Sequence, residues 1–209
     1  TTDAKDVDLQ ARTAGIELYR LDAGSTKNVV GANGDGITVD TTFGNANTIF
    51  TLGVGKQTYL GGSGSDDITF GTGDGTVIKA GAGNDTVRST VGGVWSATTD
   101  IEGGTAPVAV GLVLIGGDNI SAAKVIEFEN LVLALNAAVT MTNLQHNQFT
   151  GASTIAPGNE QITITDGFTG TTMKNIENYD LKGALNNYTV AFGGVSITDN
   201  NTLLSFAKI

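Results

Sequence analysis

The chain has no cysteine and only two prolines in 209 residues. Without cysteine its stability rests on packing, metal or repetition, and thiol proteases are excluded. Histidine is nearly absent too, at one residue, His146. HExxH metalloproteases and histidine-rich zinc sites are therefore excluded. No GxSxG elbow is present to build a Ser-His-Asp triad around His146. No stretch approaches the roughly 20 apolar residues that span a bilayer, and Val125–Val139 is interrupted by Glu127, Glu129 and Asn130. The N-terminal TTDAKDVDLQ lacks the apolar core of a signal peptide, which leaves a removed leader, a fragment or a C-terminal export signal. Basic residues are scarce: 11 against 21 acidic ones, for a net charge of −10. Such a chain repels nucleic acid and anionic membranes and suits divalent cations.

Glycine, by contrast, is abundant, with 30 residues, while 40% hydrophobic content argues against disorder. Between Leu52 and Arg88 a glycine-rich phrase of nine residues recurs as LGVGKQTYL, GGSGSDDIT, FGTGDGTVI and, after a spacer Lys79, AGAGNDTVR. Degenerate forms precede it at Ala32 (ANGDGITVD) and Phe43 (FGNANTIFT). The eighth positions read Phe50, Tyr59, Ile68, Val77 and Val87, one large apolar residue per phrase, as a solenoid interior requires.

A second phrase recurs at longer range. Ile16–Leu21 (IELYRL), Phe128–Leu133 (FENLVL) and Ile176–Leu181 (IENYDL) each alternate apolar and other residues, the period of a strand with one buried face. The first and third match further, at an offset of 160 residues, so a long repeat restarts from about residue 172. Thr142–Phe149 is the best helical candidate, with Thr142 as N-cap and Leu144 and Phe149 inward. His146 is expected at the surface or in a cap. Trp95 sits in a loop-like stretch.

The phrases at Gly61 and Ala80 follow the pattern G-G-x-G-x-D-x-U-x and resemble the nonapeptide repeats of RTX proteins. With the longer repeat, the chain also resembles the repeat regions of bacterial surface-layer proteins and giant RTX adhesins. The resemblance implies an all-β fold: a right-handed parallel β-roll or β-helix solenoid with a short helical excursion near 142–149. Residues 1–30 would be entry strands or the end of a preceding repeat, 31–90 the roll with calcium loops, and 91–209 its β-rich continuation. Two nonapeptides would make one coil, so alternate phrases would stack. It also implies type I secretion, folding in external calcium and a place at the bacterial cell surface.

Calcium takes six to eight oxygen ligands at about 2.3–2.6 Å. On this reading Asp66 and Asp85 share one ion, joined by carbonyls of Gly62, Ser63, Gly64, Gly81, Ala82 and Gly83. The opposite side carries Gln57 and Gly75 at the sixth position, with Asp35 and Asp74 displaced to the fifth, and binds weakly or not at all. The metal-free alternative has Asp66 and Asp85 capping turns. The expected role is non-enzymatic: a calcium-stabilised scaffold of a surface layer, filament or adhesin, with neighbouring repeats or copies of itself as partners, cell-surface polysaccharide as a further candidate, and neither nucleic acid nor membrane insertion. Competing readings are an accessory module of a secreted polysaccharide-acting enzyme or protease, and a sugar-binding adhesin using Trp95 or a tyrosine. A lyase would need Lys79 or Arg88 beside the metal. Glu17, Glu129 and Glu177 recur as structural residues at turns between rungs.

Overall fold

A computed structural model describes residues 6–8, 17–20, 27–30, 36–52, 55–71, 75–105, 110–154, 159–166, 176, 178–181 and 196–198. The chain winds as a parallel β-solenoid of about six turns with one short helix. Wall one has eight strands in the order β1 (Asp6–Asp8), β3 (Lys27–Val30), β5 (Thr48–Thr51), β7 (Asp67–Phe70), β9 (Thr86–Ser89), β11 (Gly111–Leu114), β13 (Asn130–Leu133) and β15 (Gly151–Thr154). Wall two has six: β2 (Glu17–Arg20), β4 (Ile37–Asp40), β6 (Gln57–Leu60), β8 (Val77–Lys79), β10 (Asp100–Glu102) and β12 (Lys124–Ile126). Wall three has four: β14 (Ala138–Met141), β16 (Gln161–Ile164), β17 (Asn178–Leu181) and β18 (Ser196–Thr198).

The nonapeptide sets this geometry. Ile49 pairs with Asp67, an advance of 18 residues (67 − 49), so two phrases complete one coil. Alternate phrases therefore stack. Those at Gly61 and Ala80 feed β7 and β9, and those at Leu52 and Phe70 feed β6 and β8. Strand alternation sends Phe50, Ile68, Val87, Leu112 and Leu131 inward from wall one. Wall two sends Val39, Tyr59, Ile78, Ile101 and Val125 to meet them. Each such fully buried side chain contributes about 1.5–3 kcal/mol by leaving water.

One register assignment changes. Tyr59 pairs with Ile78, and Ile78 is buried while Val77 is only half-buried. The extra residue is therefore Phe70 and not Lys79, and the third phrase runs Gly71–Lys79 with Thr76 at its sixth position. The physical reason is visible in β7. It runs one residue past the end of its phrase, and there Phe70 turns inward against Trp95, ring edge to face at 5.0 Å.

Trp95, in the loop-like stretch, is completely buried. It lies where the coil acquires its third wall. Val94, Asn119 and Thr140 form a column of parallel bridges that leads into β14. The three IELYRL-type phrases land on three different walls, in β2, β13 and β17, so the 160-residue echo repeats a strand type and not a position in the coil. Wall one runs unbroken from Asp6 to Thr154, across residues 30 and 90. Residues 172–175, 177, 182–195 and 199–209 of the repeat restart, Glu177 among them, lie outside the described residues, as do Asp35, Asp74 and Pro107.

The helical expectation holds in place but not in facing. Helix α1 (Asn143–Gln148) starts at a Thr142 capping box. Phe149 is buried, but Leu144 is 79% exposed, and the inward residues are Gln145 and His146. His146 is a core residue, its Nε2 3.0 Å from the buried Tyr179 hydroxyl. A six-residue helix seated across a coil turns its polar middle inward because that is where the coil's open backbone groups are.

Candidate acidic column

Asp66 and Asp85 stand one rung apart on wall one, each at the residue before its strand. Both are buried. Each carboxylate reaches back one rung and accepts a backbone N–H. Thr48 donates to Asp66 Oδ1 at 2.8 Å, and Asp66 donates to Asp85 Oδ1 at 2.7 Å. Glu129 Oε2 continues the device, accepting from Val110 N at 2.8 Å, and Glu160 Oε1 accepts from Asn136 N at 3.0 Å. The acids are rung-to-rung staples. The recurrent Glu129 has the structural role at a turn that its motif implied. Glu160 carried no repeat signal, and sequence reasoning missed it.

The two aspartates differ in their second oxygen. Tyr59, across the interior on β6, donates its hydroxyl to Asp66 Oδ2 at 2.9 Å. One rung on, the same column holds Ile78, which has nothing to donate. Asp85 Oδ2 is consequently buried with no hydrogen-bond partner. Burial raises the Asp85 pKa from 3.8 to about 7, with the Asp66 charge adding to it and the Asp66 N–H opposing it. Burial raises Asp66 as well, against the hydrogen bonds from Tyr59 and Thr48. Asp66 in turn adds to the burial that raises the Tyr59 hydroxyl far above its usual 10.0.

The carbonyls expected to complete a calcium site are partly engaged elsewhere. Gly62 O accepts from Ala82 N at 2.8 Å, and Gly81 O accepts from Thr105 N at 2.9 Å. Ser63 N donates to Gly44 O and Gly83 N to Thr105 O, so the turns are themselves a hydrogen-bonded stack. Gly64 packs on the turn below, where a Cβ would meet Ala46 O at 2.4 Å. Glycine is required here by close approach as well as by conformation. Gly81 has φ +100°, and a Cβ on it would lie 2.3 Å from Gly62 O. Among the described residues no group of three or more His, Cys, Asp or Glu gathers as a metal cluster. Of the two aspartates, only Asp85 keeps a carboxylate oxygen, Oδ2, without a hydrogen-bond donor.

On the opposite wall the sixth positions are Gln57 and, with the corrected register, Thr76, followed by Thr99. All three are buried and uncharged, so among these phrases the sixth-position acids, Asp66 and Asp85, both sit on wall one. Arg88 and Lys79 lie on outer faces, away from the buried acids. Arg88 Nε donates to Asp67 Oδ1 at 2.7 Å, and Lys79 Nζ meets Asp100 and Glu102 at 2.7 and 2.5 Å. Neither stands beside Asp66 and Asp85 as a lyase base would. Trp95, with Nε1 3.1 Å from Asp118 Oδ1, has no surface on which a sugar could stack.

No protein-family model, curated protein or solved structure matches this chain.

Proposed function

We propose that this chain is a non-enzymatic structural segment of a secreted bacterial surface protein, a surface-layer, filament or adhesin scaffold, fastened by calcium at Asp66 and Asp85. The observation that carries the calcium reading is the buried, partnerless Asp85 Oδ2 one rung above a second buried carboxylate. Two such charges repel, and burial penalises both. A calcium ion supplies the missing positive charge, so its binding energy becomes folding energy. Asp66 and Asp85 would hold the ion, with turn carbonyls from Gly62–Gly64 and Gly81–Gly83 as they give up bonds to the next rung. The scaffold reading is supported by a stack whose interior is apolar side chains and whose chemistry-bearing residues are spent on rung-to-rung bonds.

At the roughly 10⁻⁴–10⁻³ M dissociation constants of extracellular calcium modules, the coil would be fastened outside a cell and loose in calcium-poor cytosol. Isothermal titration calorimetry tests this directly. One calcium per chain is expected, lost in Asp66→Asn/Asp85→Asn. Absence of binding to the parent chain, or equal binding to both, overturns the calcium reading.

A further inference from the structure

From Val39 to Val125 the inward column of wall two runs Val39, Tyr59, Ile78, Ile101, Val125, hydrocarbon except for one phenol. A buried phenol needs a partner for its O–H. The Tyr59 hydroxyl lies 2.9 Å from Asp66 Oδ2 and 3.3 Å from Thr41 Oγ1, and all three residues are buried. Each hydroxyl carries a single hydrogen. Thr41 donates its own to Leu60 O at 3.1 Å, which leaves Thr41 Oγ1 as an acceptor facing Tyr59. Tyr59 gives its hydrogen to the nearer oxygen, the charged one on Asp66. The ring is fixed by stacking on Phe50, with centroids 4.9 Å apart and planes at 23°. Rotation about the phenol C–O bond is therefore enough to move the hydrogen from Asp66 to Thr41.

We propose that Tyr59 is a two-position latch that holds Asp66 in the metal-free coil, yields it to calcium by turning to Thr41, and so sets the affinity of the acidic pair. This rests on the calcium reading above. Without metal, Asp66 is held at both oxygens: Thr48 N donates to Oδ1 at 2.8 Å, and Tyr59 donates to Oδ2. Asp85 Oδ2 faces the Ile78 rung and has no donor. The two acids are thus unequal toward a cation, one open and one latched. A cation that draws on Asp66 Oδ2 competes with the Tyr59 hydrogen for it. In an apolar interior a released O–H without an acceptor would cost as much as the bond it lost. Thr41 Oγ1 removes that cost. Tyr59 therefore steadies the coil before calcium arrives and weakens the binding once it does.

The test is calcium calorimetry on the parent, Tyr59→Phe and Thr41→Val, with thermal melts of each in EDTA. Tyr59→Phe keeps the ring and removes the latch. It is expected to melt lower than the parent in EDTA and to bind calcium about tenfold tighter or more. A side chain that only fills the core would give the opposite sign, since damage to the fold weakens binding. Thr41→Val removes the second acceptor, while Leu60 O keeps the Thr41 N–H at 2.8 Å; its calcium binding is expected to be weaker than the parent's. Calcium should also shift the near-ultraviolet tyrosine absorption of the parent, a shift absent from Tyr59→Phe. A parent that binds calcium while Tyr59→Phe binds it equally or more weakly overturns the latch and leaves the calcium reading standing. A parent that binds no calcium overturns both. If Tyr59→Phe does not fold in EDTA, Thr41→Val decides, and binding as tight as the parent's overturns the latch.

Discussion

Asp85→Asn isolates the cost of the partnerless oxygen. The amide oxygen can still accept the Asp66 N–H, so the staple survives while the charge is removed. In the metal-free protein the Asp85 carboxyl is raised from 3.8 to about 7 by burial and by Asp66. The folded state therefore favours the neutral acid. Stability from this group is full below about pH 4, declines as pH rises to about 7, and is flat above it. That gap corresponds to roughly 4 kcal/mol at pH 8. Asparagine escapes this penalty but leaves an amide N–H without an acceptor where Oδ2 stood, at about 1–3 kcal/mol. The variant should thus be more stable than the parent by roughly 1–3 kcal/mol at pH 8 in EDTA, and less stable by a similar amount near pH 4. Urea unfolding followed by circular dichroism at pH 4, 6 and 8 reads this difference, and contributions common to both proteins cancel. A difference that is constant with pH would refute the assignment of Asp85 as a buried acid without a partner.

Four further outcomes follow from single sites. Gly104→Ala should destabilise by several kcal/mol in thermal melts, because φ is +84° and the new Cβ would sit 1.9 Å from Gly81 O; Gly93→Ala, with open space around it, should stay within about 1 kcal/mol of the parent. Trp95→Ala should cost about 3–5 kcal/mol, since it empties the interior beside Phe70 and strips Asp118 of a donor, and it should not alter calcium binding in calorimetry. His146 has its pKa lowered from 6.5 by burial, opposed by the Asn147 contact. Its contribution is present above pH 6.5 and lost as pH falls toward the folded value, so His146→Gln should flatten the loss of Tm between pH 7.5 and 5.

Much of the fold was legible because the repeat encodes it twice. The apolar eighth position fixes the inward column, and the 18-residue advance fixes which phrases stack. The same logic correctly put Asp66 and Asp85 on one wall. The third wall was not legible, because it begins as single bridging residues, Val94 and Asn119, with no alternating run to announce them. Phe70 was misread as an ordinary first position because only its packing on Trp95 reveals that β7 runs one residue past its phrase. Gln145 and His146 look like surface residues by type, and only the carbonyls at β12, which Gln145 meets, and the Tyr179 hydroxyl, which His146 meets, explain why they are buried. The staples at Glu129 and Glu160 depend on which backbone N–H lies one rung back, and spacing alone does not carry that.

The most direct test of a calcium-fastened scaffold is thermal melting at pH 7.5 with EDTA and with 10 mM calcium, for the parent and for Asp66→Asn/Asp85→Asn. With a dissociation constant of about 10⁻⁴ M, calcium should add about 2.7 kcal/mol to the parent. That amounts to a rise in Tm of roughly 5–10 °C for a chain of this length, with no rise in the variant. A parent Tm that calcium leaves unmoved, or an equal rise in both proteins, would contradict calcium as the fastening at these two acids.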